Sequence, residues 1–485
     1  MKNLSRLLIA CMLISVIACK KKNKDEDPDN NGGGTPAENV EVLQGTIDSD
    51  LVLDINKKYL LKGYVYVQAP AKLTIPAGMV IKGDQATKAT LIIERGAKIH
   101  AEGTVTNPIV FTSNKPAGQR APGDWGGIII LGHGYENQPG SPIVEGGVDR
   151  PFGVATTFSS NAAADASAAA NDNSGVFRYV RIEFSGIALS TDNEINGLTM
   201  AGVGAGTQID HVQISYGGDD AFEWFGGNVD GKYLISLATI DDDFDTDFGY
   251  SGNVQYGLII RDPNLSDISG TSSTNGFESD GDATGSNSFP QTRGQFANVT
   301  VYGPLATSSS SLTTGGNDFK NALRIRRNSS ISVYNSVFMG FPAGLLIDNS
   351  GTTPTTNNLG DNVSSGSLFF RGNVISGIKT AADTLKYTPN GASFTKADLD
   401  TWYNAGSNKA YTENTSLGLP AVQGSAAFPV APQFVPTAGS VLLSGGVTLP
   451  TVFESNTYRG AFNTQDWTAG WSNFDPQNTN YGPAY

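Results

Sequence analysis

The chain has 485 residues, 58 of them Gly, with only 16% charged and a formal net charge of −14. That charge, with a pI near 4.7, excludes a nucleic-acid binder, which needs a basic footprint. Length alone allows two or three ordinary domains, but abundant Gly, Asn, Ser and Thr suit many short strands joined by tight turns.

Lys2 and Arg6 open a segment whose apolar core runs from Leu7 to Ile17 and ends at Ala18-Cys19. It is too short to cross a bilayer and reads as a signal peptide over residues 1–18. The Ala18-Cys19 junction resembles the lipobox of bacterial lipoproteins, which implies a lipid on Cys19. Cys11 is the only other cysteine, so cleavage would leave no intramolecular disulfide. Residues 19–40 hold charge runs and three consecutive glycines and predict a flexible tether. Its Lys24-Asp25-Glu26-Asp27 run resembles the export signal of surface lipoproteins in the Bacteroidota. That resemblance implies an outer-membrane location with the chain exposed at the cell surface.

Residues 41–375 carry the repeats. Leu73-Thr74-Ile75-Pro76-Ala77-Gly78 aligns with Leu91-Ile92-Ile93-Glu94-Arg95-Gly96, each an alternating strand running into a glycine turn. Residues 155–175, rich in Ala, Ser and Asn, show no strand pattern and predict a loop. Further on, five segments recur: Asn196-Gly197-Leu198-Thr199, Asp220-Ala221-Phe222-Glu223, Asp242-Asp243-Phe244-Asp245, Asn275-Gly276-Phe277-Glu278 and Asn321-Ala322-Leu323-Arg324. A second series runs through His211-Val212, Tyr233-Leu234, Tyr256-Gly257 and Ala297-Asn298, its first members about 23 residues apart. Such periods mark a solenoid. Because the returning unit is a strand, the expected fold is all-β, a parallel β-helix with polar insertions near 262–274, 282–294 and 303–319, and its first coils resemble the right-handed parallel β-helices common in bacterial surface proteins. Residues 376–485 form an irregular C-terminal region expected to cap the helix. Within it, Thr395 to Tyr403 reads as a short capped helix.

If the bulky residue of each recurrent segment points inward, its neighbour points outward. One outward column is then Thr199, Glu223, Asp245, Glu278 and Arg324, and a second holds Asp247, Asp280 and Arg326. Carboxylates stacked about 4.8 Å apart repel one another and raise each other's pKa. Three arrangements would relieve this. A cation such as calcium could bind Glu223, Asp245, Asp247, Glu278 and Asp280. The face could be solvated or paired with Arg324 and Arg326. Or the carboxyls could be catalytic acids.

The whole chain resembles a group of Bacteroidota β-helix lipoproteins, and its coils are similar to those of pectate lyases and polygalacturonases. The polygalacturonase resemblance rests on Gly218-Asp219-Asp220 and Arg324-Ile325-Arg326. It departs from that pattern because Gly132-His133-Gly134 precedes both strings and the Asn-Thr-Asp signature is missing from its place. Apart from that resemblance, two carboxyls about 5–9 Å apart suit glycosidic cleavage, which makes Glu223 and Glu278 the candidate catalytic acids of the face, with Arg324 and Arg326 beside them. The lyase resemblance implies Arg261, Arg324 or Arg326 as a base working beside calcium. His100, His133 and His211 show no metal-ligand spacing. The expected function is a surface-anchored, non-catalytic binding or scaffold protein for a glycan or envelope partner, with a calcium-binding acidic face. The alternative is a polysaccharide lyase or glycoside hydrolase acting at the same face.

Overall fold

The computed structural model describes residues 39–485 except 141, 145, 156–170, 191–192, 269–272, 313–317, 362, 365, 390–392 and 423–429. The signal segment, Cys19 and the tether up to residue 38 lie outside the described residues, as does most of the loop expected at 155–175. Among the described residues no helix is long and apolar enough to cross a membrane.

Twenty-six strands form one sheet in which equivalent strands of successive coils pair in parallel. The chain is a parallel β-helix. One series consists of short strands: Thr90–Ile93, Gly127–Leu131, Leu198–Ala201, Phe222–Phe225, Phe244–Asp247, Phe277–Ser279, Asn321–Ile325 and Ala343–Ile347, each paired to the next. A second series consists of longer strands, including Gly175–Glu183, Gln208–Ser215, Gly231–Leu237, Asn253–Ile260 and Gln295–Tyr302.

Each long strand turns a corner at one left-handed residue. Tyr179, His211, Tyr233, Tyr256 and Asn298 have φ of 49°, 51°, 57°, 65° and 54°. That conformation costs a side-chain-bearing residue roughly 1–2 kcal/mol. Stacking offsets the cost: Tyr179–His211, His211–Tyr233 and Tyr233–Tyr256 centroids lie 4.3, 4.4 and 5.0 Å apart. His211 is thus a structural member of an aromatic column.

Two expected alignments differ from those observed. Leu73 stacks on Ile99, and Leu91 on Val65 and Ile128, so the two similar strands belong to different walls of the coil. Gly257 pairs with Val299, so the polar insertion brings in Asn298, not Ala297, opposite Tyr256.

Inside, Phe222, Phe244 and Phe277 pack edge to face at 5.5 and 5.1 Å, a geometry that adds to their burial. The stack ends at Phe370, against Trp402 and Tyr403 of the helix Lys396–Ala405. Thr395 and Asp398 form the expected capping box. The tail then runs back along the flank as a strap. Val447 meets Asn335, Asn456 meets Asn298, Asn473 meets Gln213, and Tyr485 meets Asn114. Its tryptophans pack on the corner column, Trp467 on Tyr233 at 5.2 Å and Trp471 on His211 at 5.4 Å. These aromatics cover the side of the helix; the short helix supplies the ring that meets the last coil.

Candidate functional site

Strand register places the recurrent segments as expected. Thr199, Glu223, Asp245, Glu278 and Arg324 stand opposite one another on five consecutive coils, with their inward neighbours Leu198, Phe222, Phe244, Phe277 and Leu323 in the core. Asp247 pairs with Phe225 beside this column, and Asp280 and Arg326 follow on the next two coils through backbone bonds to Thr246 and Ser279.

The face is not a solvated surface. Glu223, Glu278 and Asp280 expose only 6%, 7% and 4%, while Asp245 and Asp247 remain partly exposed between them. The turns before each strand do part of the covering, through a ladder of Asx side chains. The Asp242 N–H donates to Asp220 Oδ1 at 2.8 Å, Asn275 N–H to Asp242 Oδ1 at 2.5 Å, and Asn321 N–H to Asn275 Oδ1 at 3.2 Å. Asn196 and Asn275 also donate from their amides to Glu223 and Glu278. The second turn position is small where coils approach closely: a Cβ at Gly276 would meet the Ala322 carbonyl at 2.7 Å. Asp243 breaks that pattern because it turns inward to Arg261.

Arg261 is therefore not on the face. It is fully buried, 2.9 Å from Asp243, and donates to the carbonyls of Asp241 and Ile240 at 2.7 and 3.1 Å. Burial still pushes Asp243 up to about 6 against the pull of the guanidinium. The role of Arg261 is to fix the turn that carries Asp241 and Asp242.

Charge divides the column in two. At one end, Arg324 holds Glu278 at 3.2 Å and Asp348 at 2.7 Å; Arg326 holds Glu278 at 2.5 Å and Asp280 at 2.6 Å; Arg327 adds 2.7 Å to Asp280. Against its burial, the Thr388 hydroxyl and then Arg324 draw Asp348 below the ordinary carboxylate range, and Glu278 and Asp280 raise the Arg326 pKa. Burial nonetheless lifts Glu278 to about 7.

At the other end, Asp220, Asp242 and Asp245 have no ion pair among the described residues. Burial is the largest influence on each and raises it well above the usual range. Asp219 adds to the effect on Asp220, Asp241 to that on Asp242, and Glu278 to that on Asp245. Oδ1 of Asp245 is buried without a hydrogen-bond donor.

Three sets of carboxylate oxygens lie within 4.8 Å of one another: Asp219, Asp220 and Asp241; Asp220, Glu223 and Asp245; Asp242, Asp245 and Glu278. Asp245 is common to two of them. Asp247 and Asp280, expected as ligands, lie outside these sets; Asp247 accepts from the Phe248 N–H at 2.6 Å. The sequence places Asp220 in a polygalacturonase-like string and Asp242 in a turn beside the face, but assigns neither as a ligand, and it gives no sign of Asp348. The signal for the first two was the Asn or Asp that opens every recurrent segment.

The family model of the pectate-lyase-like β-helix domain matches residues 45–420. The chain belongs to this family. No curated protein matches it in sequence. Among solved structures, the crystal structure of pectate lyase Pel9A is similar at 10% identity with a TM-score of 0.30, over 85% of this chain and 89% of that one. In this pectate-lyase-like β-helix the acidic clusters have the oxygen chemistry that a hard divalent cation takes. Arg324 and Arg326 are each engaged by two carboxylates.

Proposed function

We propose that the protein is a cell-surface lipoprotein that binds an acidic polysaccharide, of the pectate class, without cleaving it. The binding runs through a divalent cation such as calcium held at Asp220, Glu223, Asp242, Asp245 and Glu278. Asp245 carries this reading. It belongs to two of the three-carboxylate sets, and its buried Oδ1 lacks a donor. A cation there would relieve the repulsion and offer its remaining coordination positions to the carboxylates of a uronate chain. Partly exposed Asp245 and Asp247 leave the approach open. The ion pairs of Arg324 and Arg326 favour binding over catalysis because both guanidinium groups are already engaged by carboxylates. The lipid on Cys19 and the tether supply the surface anchorage, a reading that rests on the signal segment alone.

One observation favours the enzymatic alternative. Glu278, at about 7, is poised as a general acid near neutral pH, and neighbouring carboxyls in the same column could act as its partner in glycosidic cleavage. A single experiment separates the two: polygalacturonate is offered to the full chain with calcium or with chelator, and both retention and released unsaturated or reducing ends are measured. Calcium-dependent retention without products, lost in Asp245→Asn, is expected. Product release that disappears in Glu278→Gln would replace binding by catalysis.

A further inference from the structure

A trough of about 350 Å³ runs along the helix on a different wall, where the long strands begin. Its floor is a column in register: Asn253 pairs with Gln295 and Gln295 with Ser332, so hydrogen-bonding side chains recur about every 4.8 Å. The amides form a directional chain. Asn253 Nδ2 donates to Asp230 Oδ1 at 2.9 Å, and Gln295 Nε2 donates to Asn253 Oδ1 at 3.2 Å. That leaves the Oε1 of half-buried Gln295, which lines the trough, as an acceptor. Phe369, half-buried, supplies an aromatic wall, with the Arg371 guanidinium 4.1 Å from its ring centre.

Arg293 sets the charge of this trough. It is exposed and lines the cavity. Among the described residues its guanidinium makes neither an ion pair nor a hydrogen bond, although the chain carries a net charge of −14. An unpaired arginine in so acidic a protein is complementary to an anion, and its fork suits a carboxylate or sulfate. Amide groups beside an aromatic ring suit a sugar chain.

We propose that this trough is a second glycan site, independent of any cation, that takes an acidic oligosaccharide with one anionic substituent on Arg293 and a hydroxyl on Gln295, while Ser332 is buried and bonds Ser367 and Phe369. It needs none of the acidic column and so stands whether or not that column binds calcium.

The test uses the detergent-solubilised full chain in excess chelator, titrated with an oligogalacturonate, a sulfated oligosaccharide and a neutral oligosaccharide of equal length. Both acidic probes should bind, and the neutral one at least tenfold more weakly. Arg293→Gln should weaken acidic binding at least tenfold with an unchanged melting temperature. Gln295→Ala should weaken it several-fold, and Asp245→Asn should leave it unaltered. The stronger of the two acidic probes identifies the substituent as carboxylate or sulfate. No binding in chelator, equal binding of the neutral probe, or indifference to Arg293→Gln would overturn the proposal. Loss through Asp245→Asn would assign the binding to the acidic column instead.

Discussion

Asp245 stands directly opposite Glu278 in the parallel register, yet only Glu278 forms ion pairs, with Arg324 and Arg326. The boundary between a self-neutralised half and an uncompensated half of the column falls between these two side chains. Below it the protein supplies its own cations. Above it, protons or an added cation must do so.

On the compensated side, Arg326 is the keystone, since it bridges Glu278 and Asp280 at 2.5 and 2.6 Å. Arg326→Met should destabilise the protein by about 3 kcal/mol, the usual result of leaving a buried partner unpaired. Glu278→Gln in the same chain should recover part of that loss, and a double-mutant cycle in urea measures the coupling. Additive effects would show that the pair is not coupled.

pH should act on the buried carboxyls on both sides of that boundary with a definite sign. Burial raises the folded-state pKa of Asp220, Asp242, Asp245 and Asp247, and lifts Glu278 to about 7. A raised carboxyl binds more protons folded than unfolded, so its stabilisation is present below the unfolded value and lost as pH rises through the folded one. The melting temperature of chelated protein should therefore fall from about pH 5 to pH 8. Asp245→Asn should flatten that slope; a melting temperature that rises across this window would contradict the assignment.

The strap predicts a stability effect far from the acidic column. Trp471 exposes 1% and packs on Tyr179 and His211 at 6.0 and 5.4 Å. Trp471→Ala should cost about 3–5 kcal/mol, read by denaturant unfolding, and should open the tail to proteolysis before the coils. Cleavage of coils and tail together would mean that the strap does not unfold separately.

Anchoring is tested at one atom. Replacing Cys19 by Ala should move the protein out of the membrane fraction and abolish fatty-acid labelling. Membrane association that persists without labelling of the native chain would remove the lipid from the account.

The β-helix was legible because a strand buries alternate residues, and an apolar residue must return to the same wall on every coil. Phe222, Phe244 and Phe277 show this most plainly. The outward column followed from the same alternation. Less legible was everything set by loop length. The insertion before Gln295 hid which residue takes the corner opposite Tyr256, and the strap's contacts join residues as far apart as Asn114 and Tyr485. Burial of the acidic face was equally hidden, because it depends on Asx side chains bonding across coils. No local pattern distinguishes those from ordinary turn formers.

Calcium titration calorimetry on chelator-treated protein tests the central claim most directly. The account predicts a saturable heat near neutral pH, weaker at pH 5 where protons compete. It should be strongly reduced in Asp245→Asn and unchanged in Asp398→Asn, which lies on the capped helix Lys396–Ala405. At a hundred times Kd the same ion should add about 2.7 kcal/mol of stability. The absence of any saturable heat, or a heat that survives Asp245→Asn intact, would show that the column is neutralised by protons and arginines alone.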